Sequence, residues 1–535
     1  MFLLEYEEDI IVVDCGVGFP QEDQLGIDLV LPDIGYLKKR QKKIRGIFLT
    51  HGHEDHIGAI SYHLPDLRAP VFGTRLTLGL VKVKLEESGF LPNADLREFD
   101  PDVDAPICAG VFQVEPFRVC HSIPDAVGFG ITTPAGLIVH TGDFKLDPTP
   151  IDDRPVDFDK LRAFSERGVR LLISDCVHIE TPGSTPSERV VGETYDRLFA
   201  STDGRIIIAT FASLIARIQQ IIDTAERYGR RVAALGRSLE KNVQMALELG
   251  YLKDPTNRLV DGREGSFLPD NEIVFIVTGA QGEPMAVLSR IANGDHRDVI
   301  VGPGDTVVVS ATPIPGNETS VFHIINQLFK AGAEVVYGSR ARVHVSGHGS
   351  SDELVTMLNA VKPRDVVPFH GEYRHMALYR DLAIEQGYTS EQVHFAENGN
   401  VIAITPEAIK VEGKVESGYV YVDGVTVGEV GDVVIRDRRA LARDGILMVI
   451  VAVDRETGQI VAGPDIATRG FVHAKGASKL LDDTKEYLRS EIGDGAHFAT
   501  SDWGYLSRQL RDLTANYLHR NTRRRPMILP MVMEV

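Results

Sequence analysis

The chain has 535 residues, 57 of them basic and 76 acidic, giving a net charge of −19 and a charged fraction of 25%. That length is enough for three or four domains, and the composition excludes a disordered or low-complexity chain. An acidic balance of this size also excludes a surface that binds nucleic acid everywhere by counterion release, while allowing a local basic channel.

The chain opens Met-Phe-Leu-Leu-Glu-Tyr-Glu-Glu-Asp, with acidic residues where a secretory signal would be basic. Short apolar runs separated by turns follow at 10–13, 46–49, 111–114, 137–139 and 171–173, and they read as buried strands. Between about 185 and 345 the rhythm becomes strand, helix, strand, helix. Strands are predicted at 205–209, 231–235, 272–277 and 306–310, with helices at 214–228, 239–249, 284–292 and 319–331, a parallel α/β pattern. Last come an apolar run at 446–453, a turn at Glu456-Thr457-Gly458, two helical stretches and a strand at 527–535, predicting a small α+β appendage. The run 446–453 is the longest apolar one, eight residues against roughly 18 for a bilayer span, so no membrane association is expected. The four cysteines, Cys15, Cys108, Cys120 and Cys176, form no Cys-x-x-Cys pair and point to a reducing cytoplasm.

Directly after the strand-like 46–49 stands Thr50-His51-Gly52-His53-Glu54-Asp55-His56-Ile57-Gly58, with three imidazoles and Asp55 in six residues. Histidines at i and i+2 leaving a strand can point to one side, while Asp55 and His56 in the following turn reach a second point. Two metal ions are implied. Nitrogen and oxygen donors without thiolate suit zinc or manganese in an open catalytic site better than a closed structural zinc site.

Downstream, Val119-Cys120-His121-Ser122-Ile123-Pro124, His140-Thr141-Gly142-Asp143-Phe144 and Phe369-His370-Gly371-Glu372 follow in order. With them the cluster resembles the His-x-His-x-Asp-His signature of the metallo-β-lactamase superfamily. The resemblance implies that His51, His53 and His121 hold one divalent metal, Asp55, His56 and His370 the other, and that Asp143 bridges them. Two cations lower the pKa of a shared water and neutralise charge on the attacked group, which makes a hydrolase.

The α/β segment of roughly 160 residues between Asp143 and His370 resembles the β-CASP domain of nucleic-acid processing enzymes. Asp175 in Ile173-Ser174-Asp175 and His348 in His344-Val345-Ser346-Gly347-His348-Gly349-Ser350 match its motifs. An oxyanion leaving group needs a proton, and a histidine held by a carboxylate can donate it near neutral pH. Asp55, His348 and Asp175 are thus the candidate catalytic residues. Ser346, Gly347 and Gly349 form a short loop whose amides and hydroxyl could hold a phosphate; His344 and Arg342 would add positive charge, and Ser213 is a further candidate RNA contact.

Closer matches run through Val13-Asp14-Cys15-Gly16, Thr210-Phe211-Ala212-Ser213, Thr278-Gly279-Ala280-Gln281-Gly282-Glu283-Pro284-Met285, Pro313-Ile314-Pro315-Gly316-Asn317-Glu318 and Thr522-Arg523-Arg524-Arg525-Pro526-Met527. Over nearly the whole chain the sequence resembles the ribonuclease J family. That resemblance implies an α/β fold: a metallo-β-lactamase αββα sandwich over 1–188 and 346–425, an inserted parallel β-CASP domain over 189–345, a linker over 426–445 and a small α+β domain over 446–535. It implies 5′ to 3′ exonuclease action on single-stranded RNA carrying a 5′ monophosphate, some endonuclease activity, and roles in mRNA decay and rRNA maturation. Two divalent ions, zinc or else manganese, a homodimer or homotetramer, and partners in an RNA-degradation complex belong to the same expectation.

Three departures stand out. The family's first strand and Leu-Gly-Glu-Ile-Gly loop would precede residue 1, leaving a strand edge open. Where the family reads Phe-Ala-Ser-Asn-x-His-Arg, this chain has Phe211-Ala212-Ser213-Leu214-Ile215-Ala216-Arg217, losing an amide and an imidazole; and Ser-Asp-Ser-Thr-Asn becomes Ser174-Asp175-Cys176-Val177-His178. Two further readings compete with an active nuclease: a catalytically weakened RNA-binding scaffold subunit, and a hydrolase of small esters. The basic run Lys38, Lys39, Arg40, Lys42, Lys43 and Arg45 reads as a solvated helix end.

Overall fold

The structure is a computed structural model that describes residues 1–535 apart from 22, 284, 315, 406, 458, 472–473 and 493–502. It divides into two compact units, Met1–Gly18 with Leu31–Tyr419, and Phe19–Val30 with Val420–Val535.

In the first unit a five-stranded sheet runs in the order Phe2–Tyr6, Asp9–Val13, Ile44–Phe48, Val71–Gly73, Leu96–Glu98. A six-stranded sheet runs Asp365–Phe369, Val169–Asp175, Gly136–His140, Val127–Thr133, Phe112–Arg118, Ile107–Ala109. Their apolar faces meet in one core, where Ile11, Val13 and Phe48 pack with Val127, Phe129, Ile138 and Ile173. The outer face of the six-stranded sheet is covered by the helices Phe158–Arg167, Ser351–Val361 and Tyr373–Glu385 through Leu161, Phe164, Leu354, Leu358 and Tyr379. The helix Arg75–Glu87 packs against the other sheet. This is the expected αββα sandwich. Asp9–Val13 is not its edge, because Phe2–Tyr6 pairs with it in register from Phe2↔Val13 to Tyr6↔Asp9.

A third sheet is wholly parallel, in the order Leu259–Val260, Arg231–Leu235, Ile273–Val277, Ile206–Ala209, Thr306–Val309, Glu334–Val336. Every residue of Ile206–Ala209 and Ile273–Val277 is buried, which is why these strands read as unbroken apolar runs. The helices Ile215–Arg227, Arg237–Leu249, Val287–Ala292 and Glu318–Lys330 alternate with them; Pro284, at the predicted start of the third, lies outside the described residues.

In the second unit, Ile446–Val453 is the central strand, antiparallel to Ile460–Arg469 and parallel to Met527–Glu534. Leu488, Leu506, Leu510 and Leu518 of the two long helices bury Leu447, Val449, Val451 and Val453. The turn predicted at Glu456-Thr457-Gly458 falls partly outside the described residues, at Gly458. Two boundaries differ from expectation. Residues 426–445 are not an open linker but carry the helix Asp432–Asp444, and residues 19–30, expected in the first lobe, join it. The reason is a small separate core in which Ile27, Val30, Tyr421 and Ile435 bury one another. Among the described residues no helix is long and apolar enough to cross a membrane.

Candidate metal centre and active site

The site is assembled at strand ends. The segment 50–56 follows Ile44–Phe48, His121 follows Phe112–Arg118, Asp143 follows Gly136–His140, Asp175 ends Val169–Asp175, and His370 follows Asp365–Phe369. His348 comes from the loop before the helix Ser351–Val361. Six separate stretches of chain therefore meet at one edge of the sandwich.

His53 Nδ1 stands 3.0 Å from His51 Nε2 and 3.1 Å from His121 Nε2. Beside this trio His370 Nε2 lies 3.3 Å from His56 Nε2 and 3.2 Å from Asp55 Oδ2. Asp143 Oδ2 sits between the two sets, 3.1 Å from His56 Nε2, 3.6 Å from His370 Nε2, 3.8 Å from His51 Nε2 and 3.9 Å from His121 Nε2. All seven residues of the expected ligand set thus converge.

The donors fit divalent cations. Tetrahedral coordination at 2.0–2.1 Å places neighbouring donors about 3.3 Å apart, close to the spacings of the trio. The second oxygen of Asp143, Oδ1, is buried without a hydrogen-bond partner. A buried carboxylate oxygen left without a partner costs free energy that a bound cation would offset. Burial pushes His51, His53 and His121 below the usual imidazole range, His53 to about 4, so their lone pairs are free at neutral pH. For His56 and His370 burial is outweighed by carboxylates, Asp143 foremost, and both are held above that range. Burial would raise Asp55 and Asp143, but the imidazoles of His56 and His370 hold both below the ordinary carboxylate range.

Outer partners fix the ligand tautomers. His56 Nδ1 donates to Asp14 Oδ2 at 2.8 Å and His121 Nδ1 to the Gly347 carbonyl at 2.7 Å, leaving each Nε2 free to bind metal. Asp14 also accepts the Thr50 amide at 2.8 Å. Asp14 and His370 adopt left-handed backbones, with φ of 61° and 67°, which side chains other than Gly tolerate mainly where surrounding structure imposes them. The centre is reached by solvent most readily at Asp55, His370 and His348, whose side chains are 37%, 24% and 20% exposed, against 4% or less for His51, His56, His121 and Asp143.

His348 Nδ1 donates to Asp175 Oδ2 at 2.7 Å, and its Nε2 lies 4.0 Å from Asp143. Burial disfavours its charge, but Asp175, Asp143 and Asp55 outweigh it and lift His348 to about 9. Part of the rest of its loop is already engaged within the protein. The His348 amide donates to Ser346 Oγ at 3.0 Å and the Gly349 amide to the Phe144 carbonyl at 2.6 Å, so neither is free for a phosphate. Gly347 orients His121 through its carbonyl. Nor does His344 supply positive charge. Its Nδ1 accepts from the buried Arg217 at 2.8 Å, and burial together with Arg217 and Lys145 hold it neutral. Ser213 lies in the turn before the helix Ile215–Arg227, its carbonyl accepting the Ile215 amide at 2.8 Å.

Three contributors were not anticipated. Asp14 was noted only within a motif. Arg217 pairs with Glu188 at 2.8 and 3.0 Å and donates to the Ser310 carbonyl at 2.8 Å. Glu353 accepts the amides of Leu146 at 2.6 Å, Thr185 at 2.6 Å and Ser350 at 2.8 Å, stapling three loops behind His348; its signal was the Ser350-x-x-Glu353 capping box. The basic run near residue 40 is largely neutralised by Lys38–Asp66, Lys39–Glu416, Lys43–Glu8 and Arg45–Asp9 pairs.

Four family descriptions match the chain in succession. They are the metallo-beta-lactamase superfamily over residues 1–172, the ribonuclease J beta-CASP domain over 203–328, the Zn-dependent metallo-hydrolase RNA specificity domain over 333–395 and the ribonuclease J C-terminal domain over 433–535. The chain is similar over its full length to ribonuclease J2 of Bacillus subtilis, at 40% identity covering 96% of that protein. It belongs to the ribonuclease J family. Ribonuclease J of Thermus thermophilus is 42% identical over 99% of this chain and 92% of its own, and ribonuclease J 1 of Streptococcus pyogenes 39% over 99% and 94%. As a member of this family the protein is a metal-dependent hydrolase acting on RNA.

Proposed function

We propose that the protein cleaves RNA phosphodiester bonds at a dinuclear centre held by His51, His53 and His121 on one side, Asp55, His56 and His370 on the other, and Asp143 between. Two bound cations, zinc or manganese, would acidify water and neutralise charge on the attacked phosphate. His348 then serves as the proton donor to the leaving oxygen. Asp175 at 2.7 Å fixes its tautomer, so that Nε2 carries the proton toward the open side of the centre. Cations on Asp143 and Asp55 would cancel part of the field that raises His348, bringing its pKa down from about 9 toward the working range.

The observation carrying this reading is Asp143 Oδ2, one oxygen within 4.0 Å of ring nitrogens from His51, His56, His121, His348 and His370. We further propose 5′ to 3′ exonuclease action on 5′-monophosphorylated RNA with some endonuclease cleavage, in mRNA decay and rRNA maturation. The working form is a homodimer or homotetramer in the cytoplasm, associated with an RNA-degradation complex; four free cysteines accord with a reducing compartment. A second reading, a weakened RNA-binding subunit, is favoured by Leu214, apolar and 3% exposed where the family carries a polar amide. The test is a time course on one RNA bearing a 5′ hydroxyl, monophosphate or triphosphate, with zinc and manganese added back separately. Fastest loss of monophosphorylated RNA from its 5′ end supports the exonuclease. RNA binding without turnover in either metal selects the weakened subunit instead.

A further inference from the structure

We propose that Tyr373 is a stacking platform for a base next to the scissile phosphate, so that the enzyme reads its substrate as single-stranded RNA partly through this ring. The proposal rests on the reading of the His/Asp cluster as the hydrolytic centre. Tyr373 is 60% exposed, and among the described residues it is the one large, exposed apolar side chain within five positions of a cluster ligand. The ligand it follows is His370, which with Asp55 and His348 forms the open side of the centre.

Its mounting is rigid. Glu372 caps the helix Tyr373–Glu385, and the Glu372 amide donates to His375 Nδ1 at 3.0 Å. His375 Nε2 in turn meets Glu180 Oε2 at 3.3 Å, and Arg374 Nε meets Glu180 Oε1 at 3.4 Å. The ring of Phe395 stands nearly perpendicular to that of Tyr373, centroids 5.4 Å apart at 84°, with the Arg380 guanidinium 5.4 Å over Phe395. Phe395 therefore braces the tyrosine while most of its surface faces water. Such exposure of a large ring contributes little to folding, whereas a braced aromatic ring three residues from His370 matches what unstacked bases bind.

The experiment compares wild type, Tyr373→Ala and Tyr373→Trp on a short RNA in which an abasic residue is walked past the cleavage site, with bis(p-nitrophenyl) phosphate as a small ester. Tyr373→Ala should lower kcat/KM on intact RNA roughly 5- to 150-fold, leave small-ester hydrolysis unchanged, and be rescued by Tyr373→Trp. For wild type one abasic position should cause a comparable loss, and at that position Tyr373→Ala should show no further loss. The proposal is overturned if Tyr373→Ala cleaves intact RNA like wild type, if it loses small-ester activity equally, or if abasic penalties add to those of the variant. Failure of wild type itself to cleave any RNA would instead refute the hydrolytic reading.

Discussion

Gly347→Ala tests whether the 346–349 loop positions a metal ligand or holds substrate. A Cβ at Gly347 would lie 2.5 Å from His121 Cε1, 2.7 Å from His121 Nδ1 and 2.7 Å from Ser122 Oγ. Carbon atoms pack at about 3.5–4.0 Å, so the imidazole must retreat by about 1 Å. Gly347 is not in the left-handed region, so alanine is not strained there and the effect comes from contact alone. Metal sites tolerate ligand displacements of about 0.2 Å. The His51, His53 and His121 set should therefore lose about 10- to 100-fold in metal affinity, equal to about 1.4–2.7 kcal/mol. Competition against a fluorescent chelator, with metal counted by mass spectrometry, measures this directly. Ser346→Ala, which adds no atom near His121, is the control and should stay within about threefold of wild type. A Gly347→Ala protein that binds both ions like wild type but shows a raised KM for RNA would refute the positioning role.

Asp175→Asn removes the carboxylate that keeps His348 protonated, so the donor loses its proton at lower pH. The alkaline limb of the kcat profile should move acidward by roughly one unit or more, and an unshifted limb would mean that another group donates. Arg217→Met leaves Glu188, 7% exposed, without its partner. Urea denaturation should show a loss of about 3–5 kcal/mol, much of it recovered when Glu188→Met is added. His56 and His370 are held above the usual imidazole range without metal, so their protons must leave as cations enter. Metal binding should release protons and weaken as pH falls, visible as buffer-dependent enthalpies in calorimetry; buffer-independent enthalpies would contradict this.

The ligand set was legible because His51 through His56 are compressed into six residues and the later ligands follow in a familiar order. The parallel sheet was legible for a related reason: strands such as Ile273–Val277, buried on both faces, have no polar interruptions. Other parts were masked by local chemistry. Val127–Thr133 is absent from the predicted strands; its Gly128 and Gly130 interrupt the apolar pattern, yet a Cβ there would come within 2.3 Å of Phe117 and 2.4 Å of Phe164, whose rings lie across the strand. The loop at Ser346–Gly349 looked like a phosphate cradle because glycine and serine have that use. The Gly349 amide is instead spent on the Phe144 carbonyl and the Gly347 carbonyl on His121, tertiary partners that lie about 200 residues away in sequence. The helix Asp432–Asp444 reads as a linker in the sequence because its apolar residues are interrupted by charges, and Ile435 is the one it buries.

The return segment after the inserted lobe links the parts of the centre. Residues 344–353 supply the carbonyl that aligns His121, the proposed proton donor His348, the acceptor for Arg217 and the Glu353 staple, all within ten positions. Arg217 belongs to a helix of the parallel sheet, whereas His121 and Asp143 belong to the sandwich, so this one segment touches both the inserted lobe and the His/Asp cluster. The left-handed backbones of Asp14 and His370 fit the same logic. Strain of this kind, about 1–3 kcal/mol per residue, persists where several partners agree on one geometry, and here those partners are Thr50 and His56 for Asp14, and Asp55, His56 and Asp143 for His370.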